Sequence, residues 1–408
     1  MQVISTKDNL SKGLNAVNKA VATRSIMPVL SNILINAVSD GLILTATDLE
    51  IAVEAKIDAE VMEKGSITLP AKSLSEIIAK LPEPFKVNRK DKETDDEYNK
   101  RLEKEESKYK INLNLNEEKN FMHISCFKSD YDLQTLPAED FPLIPRITNE
   151  KIMTINKETL AQSIKQTRFA TSTEVNKGIL NGVHLHIKSG HIEMVSTDGY
   201  RLSMKTWQEK DIKGKEISVT VPAKAMAELE RILNSSEDTD LNFAIVSNHV
   251  VVQLNNKLFS ARILEGNYPD YHKIIPKTFE RKINMVKSVF FSAVERASIV
   301  ASEQTNVIRL SIDPEKSEMT IKADTPDLGK AVEIIEIEAE EDVSPINIIF
   351  NAKFLIDALR YIEADKVTFC MNGEVSPTLL YNSEYHFGDK DEYPSYLCMI
   401  MPIKPQAN

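Results

Sequence analysis

Cysteine is scarce in this sequence, and its distribution excludes a disulfide framework. The three cysteines are Cys126, Cys370 and Cys398, which are far apart and odd in number. This pattern favours reduced, buried thiols over disulfide bonds or a thiolate-bound metal.

Long apolar runs are absent as well. No eighteen apolar residues follow one another, and Lys7 interrupts the N-terminal residues before an apolar stretch develops. We therefore predict no membrane span and no signal peptide, and we expect a cytoplasmic protein. Hydrophobic residues make up 42% and charged residues 27% of the 408 positions, as in an ordinary globular protein. A chain of this length is expected to form about two to four domains.

The common catalytic and cofactor motifs are also missing. The sequence contains no GxxxxGK[ST], GxGxxG, HExxH, GxSxG or CxxC. His184 and His186 share one face of a predicted strand with His191 near the next turn, but no cysteine or clearly placed carboxylate completes a metal site. We predict no catalytic residue, no metal and no cofactor.

The sequence instead repeats itself. LTATDLEIAV around Asp48 returns as MVSTDGYRL around Asp198, and TLPAK at 68–72 returns as TVPAK at 220–224. A fainter third copy contains FNAK at 350–353. Because an aspartate at a turn organises the local backbone, recurrence of the phrase favours a structural duty over general-base catalysis.

Each copy contains two helix-like segments and several strands with alternating apolar residues. The predicted fold class is α+β, with three repeated domains that each place two helices on one face of an antiparallel sheet. The predicted domain boundaries are 1–148, 149–280 and 281–408. Copy one also carries a highly charged insertion at about 89–110, for which we predict a solvated hairpin extension or a short charged helix.

Charge is unevenly divided along the chain. The formal net charge is −11, yet the six predicted helices together carry +8. If these helices line one surface, that surface is basic on an acidic protein, which suits binding of a polyanion without base readout. Charge alone leaves the alternative open that lysines simply decorate exposed helix faces.

A set of phrases in fixed order resembles the bacterial sliding clamp family, the beta subunit of DNA polymerase III. The phrases are MPVLSNILI at 27–35, LTATDLEIAV at 44–53, TLPAK at 68–72, STDGYRL at 196–202, TVPAK at 220–224, GNYPDY at 266–271 and MPI at 401–403. The resemblance covers essentially the whole chain. It implies a head-to-tail homodimeric ring of the DNA clamp fold, with sheets outside and helices inside.

The resemblance implies tethering, not catalysis. A ring around duplex DNA holds the replicative polymerase for processive synthesis, and its own contacts with DNA are weak and independent of base sequence. Implied partners are double-stranded DNA, the polymerase alpha subunit, the clamp loader, and other polymerases and repair proteins that carry short peptide motifs.

Site residues follow from the matching positions and from the predicted helices. The candidate DNA-facing residues are Arg24, which best matches a family contact, and Lys12, Lys19, Lys72, Lys80, Lys165, Arg168, Lys224, Arg231, Arg296 and Arg360. The implied peptide-binding pocket between the second and third domains contains Leu180, Thr197, Gly199, Tyr200, Arg201, Leu202, Pro269, Lys273, Ile274, Met399, Ile400, Met401, Pro402 and Ile403. The implied dimer interface contains Ile77, Leu81, Ile299 and Val300.

The chain departs from the family pattern beside this pocket. Tyr200 stands where a histidine is common, and Lys273-Ile274 stand where an arginine pair is expected. The residues KPQAN at 404–408 also run on past the closing MPI. These departures do not change the implied location of the pocket, but the sequence does not determine its peptide preference.

Two other hypotheses compete with the clamp. The first is an enzyme that uses Asp198 and Arg201 with a metal at His184 or His186. The second is a repeat scaffold that binds proteins in the same pocket but never encloses DNA, and therefore needs no basic channel.

Overall fold

The structure is a computed structural model. It describes residues 1–84, 89, 93–148, 152–209, 216–301, 306–326, 328–340, 343–385 and 393–404. The insertion residues 90–92, the boundary residues 149–151 and the tail residues 405–408 lie outside this description. The chain forms two compact units, Met1–Lys157 with Ser235–Arg262 and Glu158–Asn234 with Ile263–Asn408.

The same order of elements occurs three times: a strand, a helix, four strands, a second helix and three strands. Copy one contains β1 (Gln2–Ser5), α1 (Lys7–Val17), β2 (Asn32–Val38), β3 (Gly41–Thr47), β4 (Ile51–Ile57), β5 (Glu60–Glu63), β6 (Gly65–Pro70), α2 (Ala71–Lys80), α3 (Asp95–Ser107), β7 (Ile111–Asn116), β8 (Phe121–Cys126), β9 (Ser129–Gln134) and β10 (Leu136–Pro137). Copy two contains β11 (Met153–Asn156), α4 (Lys157–Arg168), β12 (Gly182–Lys188), β13 (His191–Thr197), β14 (Arg201–Gln208), β15 (Ile217–Pro222), α5 (Ala223–Asn234), β16 (Asp240–Val246), β17 (His249–Gln253) and β18 (Lys257–Arg262). Copy three contains β19 (Arg281–Val286), α6 (Lys287–Val300), β20 (Val307–Asp313), β21 (Glu318–Thr325), β22 (Gly329–Glu336), β23 (Glu338–Ala339), β24 (Ile346–Asn351), α7 (Ala352–Tyr361), β25 (Lys366–Met371), β26 (Thr378–Asn382) and β27 (Tyr396–Ile400). Beyond the shared order, copy one adds β5, α3 and β10, and copy three adds β23.

Successive copies share continuous antiparallel sheets. In the first unit, β4 of copy one pairs with β18 of copy two, within the order β10-β6-β2-β3-β4-β18-β17-β16-β11. In the second unit, β14 of copy two pairs with β27 of copy three, within the order β15-β12-β13-β14-β27-β26-β25-β19-β23. The other two sheets have the orders β5-β1-β7-β8-β9 and β22-β21-β20-β24, so β9 and β22 are edge strands.

Apolar side chains fill the space between helices and sheets. In the second unit, Phe290 of α6, Phe350 and Phe369 are all fully buried and belong to one core cluster. The three cysteines are free and buried, which confirms the prediction for them. Burial raises the pKa of the Cys370 and Cys398 thiols to about 11, so both are protonated at neutral pH. None of the described helices is long and apolar enough to cross a membrane.

The charged insertion contains a helix, the second of the two predicted alternatives. Thr94 caps α3 by accepting a hydrogen bond from the Glu97 backbone, and the Glu97 carboxylate accepts one from the Thr94 backbone in return. This reciprocal capping box stabilises a helix that has no buried residue of its own. Arg101 and Glu93 form an additional ion pair at 2.6 Å.

A lysine at the start of each first helix performs the same task in all three copies. The Lys7 ammonium donates to the Leu81 carbonyl at 2.7 Å, Lys157 to the Ser236 carbonyl at 2.8 Å, and Lys287 to the Ile362 carbonyl at 2.7 Å. Leu81 and Ile362 are the C-terminal caps of α2 and α7. A positive charge there satisfies a carbonyl left without a helical partner and complements the helix dipole.

We expect Lys287→Met to destabilise the second unit by about 1 to 2 kcal/mol, because a charged hydrogen bond to a helix end is lost. This corresponds to a fall of roughly 2 to 8 °C in melting temperature for a unit of this size. Calorimetry measures the change. Lys316→Met is the matched control, since Lys316 is 71% exposed and pairs only at the surface with Asp313. Equal melting temperatures for the two variants would contradict the assignment.

Candidate functional site

The repeated aspartate phrase forms the same turn in both copies. Asp198 Oδ1 accepts hydrogen bonds from the backbone N–H groups of Tyr200 at 2.9 Å and Arg201 at 3.0 Å. Thr197 Oγ1 donates to the Arg201 carbonyl at 2.6 Å and accepts from Gly199 N–H at 3.1 Å. Gly199 has φ +92°, a conformation that glycine adopts without strain.

The corresponding turn at Asp48 has the same bonds. Asp48 Oδ1 accepts from the N–H groups of Glu50 at 3.1 Å and Ile51 at 2.8 Å, and Thr47 Oγ1 donates to the Ile51 carbonyl at 2.8 Å. Both aspartates therefore organise backbone. The enzyme hypothesis loses its proposed base, because Asp198 already serves the turn and Arg201.

Arg201 is the most heavily contacted residue of the turn. Its guanidinium pairs with Asp198 at 3.0 Å and with Asp357 of α7 at 2.6 Å, and it donates to the Phe169 carbonyl at 3.0 Å. The guanidinium carbon also lies 4.5 Å from the ring centre of Phe354 and 5.4 Å from that of Phe169. Since the side chain is only 13% exposed, these contacts hold the turn rigidly against α7.

The closing phrase lies against this turn. Leu202 pairs with Met399, and Arg201 pairs with Ile400, in the β14–β27 ladder. The ladder then continues, because Met401 N–H donates to the Tyr200 carbonyl at 2.8 Å. Two stretches about 200 residues apart, Thr197–Leu202 and Met399–Met401, are thereby brought together.

The burial of several predicted pocket residues corrects their role. Leu202 and Ile400 are each 1% exposed, and Met399 is 4% exposed, so these side chains belong to the core and present almost no surface to solvent. The reason is that Leu202 and Met399 are packed with Tyr271 and Ile275 in one apolar cluster. Thr197 and Pro402 are also buried.

The remaining predicted pocket residues are at least partly open to solvent. Tyr200 is 57% exposed, Lys273 is 81% exposed and Ile274 is 46% exposed. Gly199 and Pro269 are exposed, whereas Leu180, Met401 and Ile403 are half-buried. A Cβ built on Gly199 meets nothing within 4 Å, and the Lys177 ammonium lies 5.9 Å from the Tyr200 ring centre.

Pro269, Lys273 and Ile274 belong to one segment, which we call the strap and define as residues 268–276. Tyr268, Tyr271 and Ile275 of the strap pack on Val195, Leu202 and Met399. Lys273 lines a cleft of about 1170 Å³ and Pro269 a second cleft of about 330 Å³, and His272 lines both. The described histidines, cysteines and carboxylates contain no group of three that could hold a metal ion, so the metal-enzyme hypothesis finds no support.

The chain matches three profiles of one protein family in sequence order. Residues 1–103 match the N-terminal domain of the DNA polymerase III beta subunit, residues 154–270 its central domain and residues 272–399 its C-terminal domain. The chain is 30% identical over 389 residues to the beta sliding clamp of Staphylococcus aureus, covering 93% of this chain and 95% of that protein. The chain belongs to the beta sliding clamp family of DNA polymerase III.

Solved structures agree with this membership. The sliding clamp of Bacillus subtilis superimposes with a TM-score of 0.86 at 27% identity, over 99% of each chain. The clamp of Pseudomonas aeruginosa bound to griselimycin superimposes with a TM-score of 0.85 at 26% identity, over 99% of this chain and 100% of the other. The clamp fold and the function of a DNA sliding clamp are thereby confirmed. Members of this family are non-catalytic processivity factors.

In this clamp, the predicted DNA-facing residues differ in their surroundings. Four form ion pairs: Lys12 with Asp8 at 2.7 Å, Arg168 with Glu230 at 3.2 Å, Arg231 with Glu228 at 2.5 Å and Arg296 with Glu333 at 2.6 Å. Arg168 and Arg231 are also half-buried. Lys224 is exposed. Six others are exposed and have no carboxylate within ion-pair distance among the described residues, namely Lys19, Arg24, Lys72, Lys80, Lys165 and Arg360.

The predicted interface residues of the clamp also separate into two groups. Ile299 is 74% exposed at the end of α6, and Ile77 and Val300 are half-buried. Leu81 is only 2% exposed, so its side chain belongs to the core of its own chain. The resemblance that implied an interface role for Leu81 did not reveal that α2 ends at Lys80, with Leu81 as its buried C-terminal cap.

Some important residues gave no signal in the sequence. Asp357 and Phe354 of α7 hold Arg201, yet they are about 150 residues away in sequence and look like ordinary helix positions. Glu193 was missed as well, although it is buried at 7% exposure among three histidines. The only sign of it in the sequence was its position between the apolar residues Ile192 and Met194 of β13.

Proposed function

We propose that this sliding clamp binds partner peptides at the Thr197–Arg201 turn, with the strap and the closing Met401–Ile403 segment as the adjoining walls. The observation that supports this most is the turn itself, which exposes Tyr200 and Gly199 while Arg201 fixes the backbone beneath them. A rigid platform loses little entropy when a flexible peptide binds. Leu202 and Met399 form the apolar floor under the platform, not its contact surface.

The chemistry of this surface suits a short apolar peptide. Ile274 and Tyr200 offer exposed apolar area, Leu180 and Met401 are half-buried, and the Met401 backbone is hydrogen-bonded to that of Tyr200. A few polar groups beside an apolar surface are typical of a specific pocket. Griselimycin is bound to the Pseudomonas aeruginosa clamp, and we propose it as a probe of this surface here. Proposed natural occupants are the replicative polymerase alpha subunit, the clamp loader, and other polymerases and repair proteins.

We propose that DNA contact falls mainly on the six exposed cations without ion pairs. Arg24, Lys72 and Lys165 are examples from the two units. Arg168, Arg231 and Arg296 contribute less, because their charges are already offset by neighbouring glutamates. Each of these contacts releases few counter-ions and is weak, so the protein can move along the DNA. What keeps it on the DNA is the closed ring around the duplex.

We propose a head-to-tail homodimer with three domains per subunit, divided near 148/149 and 280/281. In the second unit, the edge strand β22 exposes Val332 at 58% and Ile334 at 60%, and Ile299 is 74% exposed. In the first unit, the edge strand β9 exposes Tyr131 at 40%. Pairing β22 of one subunit with β9 of another satisfies two open strand edges and buries these apolar residues.

The test is retention on nicked circular DNA after loading with a clamp loader and ATP. We expect the protein to remain on circles at high salt and to slide off once the circle is cut. Equal binding to circular and linear DNA with a steep salt dependence would contradict the topological hold. No binding even with an active loader would favour a scaffold that never encloses DNA.

The pocket is tested in the same assay by recruitment of the polymerase alpha subunit. Tyr200→Asp changes an exposed side chain, so we expect normal loading but loss of polymerase recruitment. Met62→Asp, which changes a side chain that is 61% exposed in the first unit, is the matched control and keeps recruitment. Undiminished recruitment by Tyr200→Asp would refute the pocket.

A further inference from the structure

Glu193 lies at the centre of a cluster that joins the strap to the sheet. Its carboxylate accepts a hydrogen bond from the Tyr271 hydroxyl and lies 3.1 Å from His272 Nε2. Both of these partners belong to the strap. Glu193 itself is on β13, so this one carboxylate connects the two.

Two histidines approach the same carboxylate from the sheet. His191 Nε2 lies 3.4 Å from Glu193, and His186 Nδ1 of the neighbouring strand lies 3.5 Å from it. The other nitrogen of His186 is 2.6 Å from Glu216. Glu193 is 7% exposed, so it is an acceptor with little access to water. A buried carboxylate is stable only when several donors satisfy it, and here the strap provides two of them.

The strap also carries three residues of the proposed pocket, Pro269, Lys273 and Ile274. Apolar contacts, such as those of Tyr268 and Ile275 with the core, have no preferred direction, whereas hydrogen bonds do. The bonds from Tyr271 and His272 to Glu193 therefore determine the orientation of the strap on the sheet. Ile274 N–H donates to the Tyr271 carbonyl at 3.1 Å, so a displacement of Tyr271 moves Ile274 directly.

We infer that Glu193 is a positioning residue that latches the strap onto the sheet and thereby sets the strap wall of the peptide pocket. The effect on the peptide pocket rests on the proposed function, whereas the latch itself does not. The latch consists of the hydrogen bonds by which one buried carboxylate holds Tyr271 and His272 of the strap.

The surroundings of Glu193 determine how the latch depends on pH. The titratable and charged groups that face it are His184, His186 and Lys188 of β12, His191 of β13, Glu216 before β15, Asp270, Tyr271, His272 and Lys273 of the strap, and Tyr393, whose ring is 5.8 Å from that of His272. Burial raises the pKa of Glu193, but the Tyr271 hydrogen bond and the nearby histidines outweigh it, so the pKa is below its ordinary value of 4.5.

A carboxyl group whose pKa is lowered by folding stabilises the folded state at any pH above its ordinary pKa. This stabilisation is lost as the pH falls through the lower pKa of the folded state. The wild-type latch is therefore closed from neutral pH down to the ordinary carboxyl value of 4.5. In Glu193→Gln, the neutral amide cannot accept charge-assisted hydrogen bonds from Tyr271 and His272, so the strap loosens throughout this range.

Hydrogen exchange of strap amides tests the latch. The rates, corrected for the intrinsic effect of pH, are measured for wild type, Glu193→Gln and Tyr271→Phe between pH 5 and 7.5. We expect exchange in Glu193→Gln to be at least about tenfold faster throughout this range, because charge-assisted bonds are lost. Tyr271→Phe is expected to loosen the strap as well, because it removes one of the two strap donors.

Glu216→Gln is the matched control, because Glu216 pairs with His186 and Lys188 but makes no contact with the strap in the described contacts. Its strap exchange should stay within about twofold of wild type. Strap exchange in Glu193→Gln that equals the exchange in the control would overturn the latch. If Glu193→Gln does not fold, unchanged exchange in Tyr271→Phe overturns it equally.

Griselimycin affinity then tests the consequence for the pocket. We expect binding to Glu193→Gln to weaken at least about tenfold. Faster strap exchange with unchanged affinity would overturn the positioning role. If strap exchange is faster in Glu193→Gln but the wild-type protein does not bind griselimycin, the latch is supported and the proposed pocket is contradicted.

Discussion

Replacing Arg201 with alanine is expected to lower the melting temperature of the second unit by roughly 6 to 12 °C. The change removes ion pairs to Asp198 and Asp357 and the contacts with two aromatic rings. Breaking one partner of a largely buried pair costs about 3 kcal/mol or more, because a carboxylate is left unpaired away from water. A unit of this size loses roughly 2 to 4 °C for each kcal/mol.

Calorimetry measures the melting temperature of the Arg201→Ala variant, and the loading assay measures its recruitment of the polymerase. Because Arg201 supports the turn from beneath, we expect recruitment to be lost along with stability. Arg262→Ala is the control, since Arg262 is 50% exposed and lies 4.0 Å from Glu50, a distance at which a surface pair contributes little. A melting temperature within about 2 °C of wild type would show that the Arg201 network is not what holds the turn.

Replacing Ile299 with aspartate is expected to convert the dimer into monomers. Ile299 is 74% exposed beside the edge of the β22 sheet, and a carboxylate buried without a partner in the proposed joint would cost several kcal/mol. Light scattering should give a mass near 46.0 kDa for the variant and about twice that for the wild type. Retention on nicked circles should disappear with the dimer.

Leu143→Asp is the matched control for this interface. Leu143 is 100% exposed in the first unit, so it offers a comparable change of an apolar surface residue away from the proposed joint. We expect the control to stay dimeric and to remain on circular DNA. A dimeric Ile299→Asp variant with normal retention would exclude α6 from the interface.

The repeats made much of the fold predictable. Each copy has the predicted helices and strands, because alternation and helical spacing are local signals that a single strand or helix carries in its own residues. The double occurrence of the Asp48 and Asp198 phrase also predicted a structural turn correctly. The same five-residue hydrogen-bond pattern forms in both places.

The predicted site was less accurate in its details. Leu81, Leu202, Met399 and Ile400 were assigned to surfaces but are buried, because whether a strand face is open depends on which distant segment covers it. For Leu202 and Met399 that segment is the strap. The pairing of Arg231 with Glu228 and of Arg296 with Glu333 likewise cannot be deduced from a sum of helix charges.

The sequence by itself determined the family, the threefold order of elements and the position of the turns, since these depend on neighbouring residues or on the order of motifs. Only the tertiary structure decided which side chains are open and which are core. It alone revealed that Asp357 holds Arg201 and that Glu193 joins the strap to the sheet. The physical reason is that these two contacts join residues 156 and 78 positions apart, and no local pattern records them.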